Sequence, residues 1–190
     1  MRVKPLRSAR SCLALLAILL AAAGCASAAR TDGMIVAVSP NTVIGDASPL
    51  RGAIRVGTVS GGGETNPLWR SNVAADDFRT ALEQSLAARA MIAASPGRYT
   101  VDAELVSLER PLAAFDTTVT AKVRYTVLAA GSQAIKLDET IVTPFTVNFS
   151  DAPFGPERLR LANEGAMRAN IETFIKRLID AARPGQALTL

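Results

Sequence analysis

Thr118-Val119-Thr120-Ala121-Lys122-Val123-Arg124-Tyr125-Thr126-Val127 is the stretch that decides the fold. Apolar and polar residues alternate through it with a period of two. Val119, Ala121, Val123, Tyr125 and Val127 therefore share one face, and Thr118, Thr120, Lys122, Arg124 and Thr126 share the other. A strand with one apolar and one wet face belongs to an antiparallel sheet covered on one side. Downstream, Ile135, Leu137, Ile141, Phe145 and Phe149 resume the alternation after a tight turn at Gly131-Ser132, which predicts a hairpin. Upstream, Tyr99, Val101, Ala103 and Leu105 form a strand whose phase shifts near Val106 and Leu108, as a bulge would shift it.

The remaining elements follow by period and punctuation. Ala53 to Val59 alternates as a strand and stops at Gly61-Gly62-Gly63. A helix comes next, with Asn72 or Ser71 as its expected cap. Asp76 and Asp77 suit its positive end, and Phe78, Leu82 and Leu86 make one apolar face; Pro96-Gly97 closes the segment. The last helix opens at Gly155-Pro156-Glu157 and ends at Pro184-Gly185. Met167, Ile171, Phe174, Ile175, Leu178 and Ala182 form its stripe, and Glu172 and Lys176 an exposed pair. The expected class is α+β in the order β-α-β-β-β-α: a four-stranded mixed sheet with two helices packed on one face.

A right-handed crossover makes the first two strands parallel, which gathers three connections at one end of the sheet: Gly61 to Arg70, Arg110 to Asp116 and Ser150 to Gly155. They carry Trp69, Phe115 and Phe154. Apolar loop tips clustered at one end form a candidate partner-docking patch; the alternative is that each ring folds back as a lid over the core. With the N-terminal segment joining at the opposite end, the patch is expected to face away from whatever anchors the chain.

What precedes the domain carries the clearest functional signal. Arg2, Lys4, Arg7 and Arg10 lead into an apolar run from Leu13 to Ala23, about half the roughly 20 residues of a membrane span. Ala22-Ala23-Gly24-Cys25 then closes the run. This resembles the signal of bacterial lipoproteins, and the resemblance implies cleavage before Cys25, a diacylglyceryl group on its thiol and a fatty acid such as palmitate on its amine. Acyl chains at about 0.8 kcal/mol per buried methylene make such attachment lasting. Neither Ala26 nor Ser27 is the aspartate that marks inner-membrane retention in enteric lipoproteins, so the periplasmic face of the outer membrane is the expected location. Inner-membrane placement, or cleavage at Ala26-Ser27-Ala28 to a soluble periplasmic product, is the alternative. The chain divides into a signal over 1–24, a lipidated tether over 25–51 with a candidate short strand at Met34 to Val38, and one α+β domain over 52–190.

Removing the signal corrects the charge argument. Of 21 basic and 17 acidic residues, four basic ones precede Cys25 and account for the whole formal excess of +4. The balanced remainder lacks the electrostatic footprint of a nucleic-acid partner. On the lipoprotein resemblance Cys12 would leave with the signal and Cys25 is expected to be acylated, so no disulfide or thiolate cluster is expected.

Catalytic patterns are thin. The chain has no histidine, which excludes a Ser-His-Asp triad and imidazole acid-base chemistry. Gly57 through Gly63 lies between strand and helix as a phosphate loop would, but no lysine-serine pair follows. Asp76 and Asp77 point about 100° apart on a helix and read as first-turn dipole partners. Glu164, four residues after Arg160, reads as a structural ion pair. Asn163-Glu164-Gly165 has no activity attached. No cofactor, no metal and no catalytic residue are expected.

A lipidated cysteine, a tether and a β-α-β-β-β-α domain resemble small envelope lipoproteins that assist transport machines, namely the lipopolysaccharide-assembly lipoprotein and the auxiliary lipoproteins of lipid-transport ABC systems. The likeness covers about residues 52 to 182 and rests on element order and anchoring. It implies a non-enzymatic accessory module, held to the membrane by its lipid and docked to an envelope complex. A lipid carrier with a cavity between sheet and helices, or an envelope enzyme with a deep polar pocket, are the other readings. Oligomeric state is left open.

Overall fold

The structure, a computed structural model, describes residues 28–62, 72–110 and 115–183. Its sheet has the order β1-β2-β3-β4, with β1 at Ile54–Gly61, β2 at Tyr99–Glu109, β3 at Thr117–Ala129 and β4 at Ile135–Val147. β1 and β2 are parallel and the other two pairs antiparallel. Three helices complete it: a single turn, α1, at Thr31–Met34, then α2 at Ala75–Ala87 and α3 at Gly155–Ala181. This is the expected α+β class and element order, with α1 added.

β3 buries Val119, Ala121, Val123, Tyr125 and Val127, while Lys122 and Arg124 face water. The expected bulge in β2 is present as a register shift between Leu105 and Ser107. A second lies in β1 between Val56 and Val59, where the Thr58 N–H donates to Asp102 Oδ1 at 2.6 Å. A carboxylate from the next strand thus satisfies an amide that the bulge takes out of the ladder. Pro144 is accommodated because β4 is an edge strand.

On the buried side, α2 covers β1 and α3 covers β3 and β4. Phe78, Leu82 and Leu86 of α2 and Met167, Ile171, Phe174, Ile175 and Leu178 of α3 are fully buried, as their spacing predicts. Gly165 lets α3 lie close to the sheet, since a side chain there would overlap the Phe145 ring. Tyr125 stacks on Phe174 with centroids 3.9 Å apart, and its hydroxyl donates to Asn170 Oδ1 at 3.0 Å. Asn170 Nδ2 donates in turn to the Ile141 carbonyl and Thr143 Oγ1, both at 3.0 Å. This buried polar knot ties α3 to β3 and β4, and every polar group in it has a partner, as burial requires.

Four expectations need correction. Over 28–51 the segment read as a tether is part of the fold: Ala29, Met34, Val36, Ile44 and Leu50 are buried in the core. It makes a third layer over the seam between α2 and α3, and in place of the candidate strand at Met34 to Val38 it has α1 ending at Met34 and chain without regular secondary structure after it. Its apolar residues fall at irregular intervals because they fill a seam between helices and line no single face. α2 starts later than expected, with Ala74 at the cap position and no side-chain cap; Asn72 instead accepts the Ala29 N–H on its carbonyl at 3.2 Å and Arg110 Nη2 on Oδ1 at 2.9 Å. In β4, Ile135 and Phe149 are exposed. A register shift at Val127/Leu128 turns Ile135 outward, and the strand ends at Val147, so Phe149 falls in the following turn.

The segment over the seam runs from one end of the domain to the other. Thr31 Oγ1 donates to Asp77 Oδ1 at 2.7 Å in the first turn of α2, and the Val36 N–H donates to Ser85 Oγ at 3.0 Å further along. At the far end the Gly52 N–H donates to the Ala90 carbonyl at 2.8 Å and β1 begins. The segment does enter β1 at the end predicted, but it first folds back along the helices. Its start therefore lies beside Asn72, at the end that carries the β2–β3 and β4–α3 connections, and the expectation that these connections face away from the N-terminal side is overturned.

Candidate contact surface

Phe115 lies in the β2–β3 connection, Phe149 in the turn after β4 and Phe154 at the cap position of α3. Thr117 pairs with Val147, which brings these connections to one end of the sheet. Phe115 is 85% exposed, Phe154 55% and Phe149 48%. The reading of Phe115 and Phe154 as lids over the core does not hold, because their rings are in water. Trp69 and Cys25 lie outside the described residues.

The backbone that carries these rings is fixed. The Phe149 N–H donates to Asp116 Oδ1 at 2.9 Å, and Asn148 Nδ2 donates to Asp151 Oδ2 at 3.0 Å across the turn. Arg158, one turn into α3, donates Nε to Thr117 Oγ1 at 3.0 Å and Nη1 to the carbonyls of Ala152 and Pro153 at 2.6 and 3.1 Å. Its guanidinium also lies 5.3 Å from the centroid of Phe149, a cation–π contact, and Phe115 meets Phe149 edge to face at 6.3 Å. Phe115 and Phe154 were legible as loop aromatics. Phe149 and Arg158 were not: the alternation ran one step too far into a Ser150-Asp151 turn whose residues favour chain reversal.

Charge at this end is largely spent within the protein. Asp116 and Asp151 accept the hydrogen bonds just given, and Arg158 is committed to carbonyls. Arg30 pairs with Asp32 at 2.8 Å and holds that carboxyl below the usual carboxylate range through the hydrogen bond between them. The phenyl rings are the most prominent apolar groups at this end, beside the exposed carboxylates of Asp116 and Asp151.

Elsewhere the geometry is structural or open. Glu164 makes the expected ion pair with Arg160 at 2.7 Å and also accepts the Arg30 N–H at 2.9 Å, a role that only the packed N-terminal segment reveals. Arg89 is 4% exposed. It donates to the carbonyls of Ser85, Val36 and Ala37 and to Thr42 Oγ1 at 2.6 to 3.2 Å. Burial lowers its pKa, opposed by the charge of Glu172. A groove of about 350 Å³ lies open along the β1 edge, lined by Arg55, Val56, Glu83, Gln84, Ala87 and Ile92 among others. A polar one of about 240 Å³ on the outer sheet face is flanked by Asp102, Glu104 and Arg124. Among the described residues no helix is long and apolar enough to cross a membrane, and no histidine, cysteine and carboxylate cluster is placed to hold a metal.

No family model matches the chain, and no curated protein matches it. Its fold is similar to that of protein XCC0632 from Xanthomonas campestris, of the family DUF330, with a TM-score of 0.56 at 12% identity over 76% of this chain and 91% of that one. A minor lipoprotein from Acinetobacter baumannii aligns at a TM-score of 0.45 and 9% identity, over 67% of this chain and 91% of its own.

Proposed function

We propose that this chain is a bacterial envelope lipoprotein, acylated at Cys25, whose α+β domain is a non-enzymatic accessory module of an envelope lipid or lipopolysaccharide transport machine at the periplasmic face of the outer membrane. The observation that carries the reading is the packed N-terminal segment. It leaves only the few residues after Cys25 between the lipid and a rigid domain, so the domain is confined to the membrane surface and concentrated for membrane-bound partners. The signal-like segment before Cys25 and the fold likeness support the same reading. Phe115 and Phe154, with Trp69 from the sequence between β1 and α2, are its proposed contact residues.

The test is affinity purification of the tagged chain from detergent-solubilised envelopes, beside metabolic labelling with an alkyne fatty acid. Label on the wild type, its loss in Cys25→Ala and co-purification of one integral membrane transport component are expected. An unlabelled, freely soluble wild type would refute the anchor; a labelled chain that brings down no such component would refute the accessory role.

A further inference from the structure

Three facts about the phenyl-bearing end bear on what covers it. The packed N-terminal segment starts towards that end, with the Ala29 N–H on the Asn72 carbonyl and the Arg30 N–H on Glu164. Glu164 lies about 14 Å along α3 from Gly155, at 1.5 Å per residue. The chain from Cys25 to Ala29 spans at most about 14 Å when fully extended. A lipid on Cys25 can therefore reach roughly the level of the first turn of α3 and no further. A tether this short holds the bilayer close to the start of the packed segment, and the end that carries Phe115, Phe149 and Phe154 lies on that side of the domain.

We infer that Phe115, Phe149 and Phe154 enter the interface of the same membrane that holds the acyl chains of Cys25, so that the domain stands on its loop end. The inference rests on the lipoprotein reading above and names the occupant of its contact surface as phospholipid. Phenylalanine, with tryptophan and leucine, makes up the apolar face of segments that lie in a membrane interface, and such a face reaches about 5–10 Å into the boundary between headgroups and acyl chains. The rings project from connections pinned by Asp116, Arg158 and the Asn148–Asp151 turn, so little ordering is needed on contact. The contact is made by the apolar rings, while the Asp116 and Asp151 carboxylates and the Arg158 guanidinium beside them are held by neutral partners within the protein. It fixes orientation: the long axes of α2 and α3 stand away from the membrane, and the outer sheet face and the β1 edge stay open to a protein partner.

The experiment places a fluorescent reporter at each position in the full, natively lipidated chain. In a Trp69→Phe background, which removes the one native tryptophan, Phe115→Trp, Phe154→Trp and, at the opposite end, Ile135→Trp are reconstituted separately into phosphatidylethanolamine–phosphatidylglycerol vesicles doped with acyl-brominated phosphatidylcholine. Flotation reads the anchor. Emission at 115 and 154 is expected to shift to the blue and to be quenched by the bromines, while 135 stays water-exposed. A chain that floats with 115 and 154 as water-exposed as 135 overturns the membrane contact alone; a chain that fails to float overturns the anchor and the contact together. Photocrosslinkers at 115 and 154 in living cells supply the last arm: phospholipid adducts support the inference, and capture of one protein from both positions overturns it.

Discussion

Gly33 lies so close to Glu164 that a methyl group at position 33 would overlap the carboxylate. That carboxylate is 4% exposed, pairs with Arg160 and accepts the Arg30 N–H, so it has nowhere to retreat without breaking one of these bonds. Arg168 donates to the Gly33 carbonyl from the same helix. Gly33→Ala is therefore expected to cost about 1–3 kcal/mol, the usual range for overpacking, despite alanine's better helix propensity. Denaturant unfolding would measure the loss. Amide exchange should locate it, with protection falling at Arg30 before it falls in β3.

At the other end of the same segment, Arg89 holds the chain by donating to Val36, Ala37 and Thr42 while its Nη1 reaches the Ser85 carbonyl. A cation just past the C-terminus of α2 also meets the negative end of that helix. Lysine keeps the charge but lacks the forked geometry that reaches several acceptors at once. Arg89→Lys should destabilise by about 2 kcal/mol, in the range of a charge-assisted hydrogen bond lost from the interior. It should also open the segment between residues 36 and 50 to limited proteolysis while α3 stays resistant. Unchanged cleavage would show that apolar burial alone retains the segment.

How far the sequence disclosed this architecture depended on period. Val119 through Val127 and the α3 stripe repeat regularly and were placed correctly; so was the β2 bulge, because the break in alternation at Val106 and Leu108 was visible. Met34, Val36, Ile44 and Leu50 obey no period, since the surface they cover is a seam between two helices. Nothing in the sequence marks Arg89 as buried, because charged side chains are rarely buried without carboxylate partners, and except for the Ser85 carbonyl its acceptors come from more than 40 residues away. Connectivity alone put Phe115 and Phe154 at one end. That the N-terminal segment begins at this same end required the fold.

Gly165 tests how closely α3 approaches the sheet. Alanine in a helix interior gains about 1 kcal/mol over glycine, but here the added methyl would overlap the ring of Phe145, which also faces the guanidinium of Arg168 at 5.7 Å. Overpacking of this kind costs about 1–3 kcal/mol. Gly165→Ala should therefore be net destabilising by up to about 2 kcal/mol. Adding Phe145→Leu should recover part of the loss. If the single variant is more stable than wild type, the ring moves freely and the close approach is not needed.

Tyr125 gives the fold a pH limit. Complete burial raises the pKa of its phenol far above the ordinary value, so the native state keeps a proton that the unfolded chain releases. Stability from this group is whole below the unfolded pKa of about 10 and is lost as pH rises beyond it, at about 1.4 kcal/mol per pH unit. Tyr125→Phe removes that dependence and also removes the hydrogen bond to Asn170, at a cost of about 1–2 kcal/mol near neutrality. The variant should thus be less stable than wild type at pH 7 and lose less as pH climbs above about 10, so the two stability curves converge. Denaturant unfolding across that range checks the convergence. Absorbance titration of the chain's two tyrosines should show Tyr125 ionising only when the domain unfolds, and its ionisation within a folded domain would mean that water reaches the Tyr125–Asn170 bond.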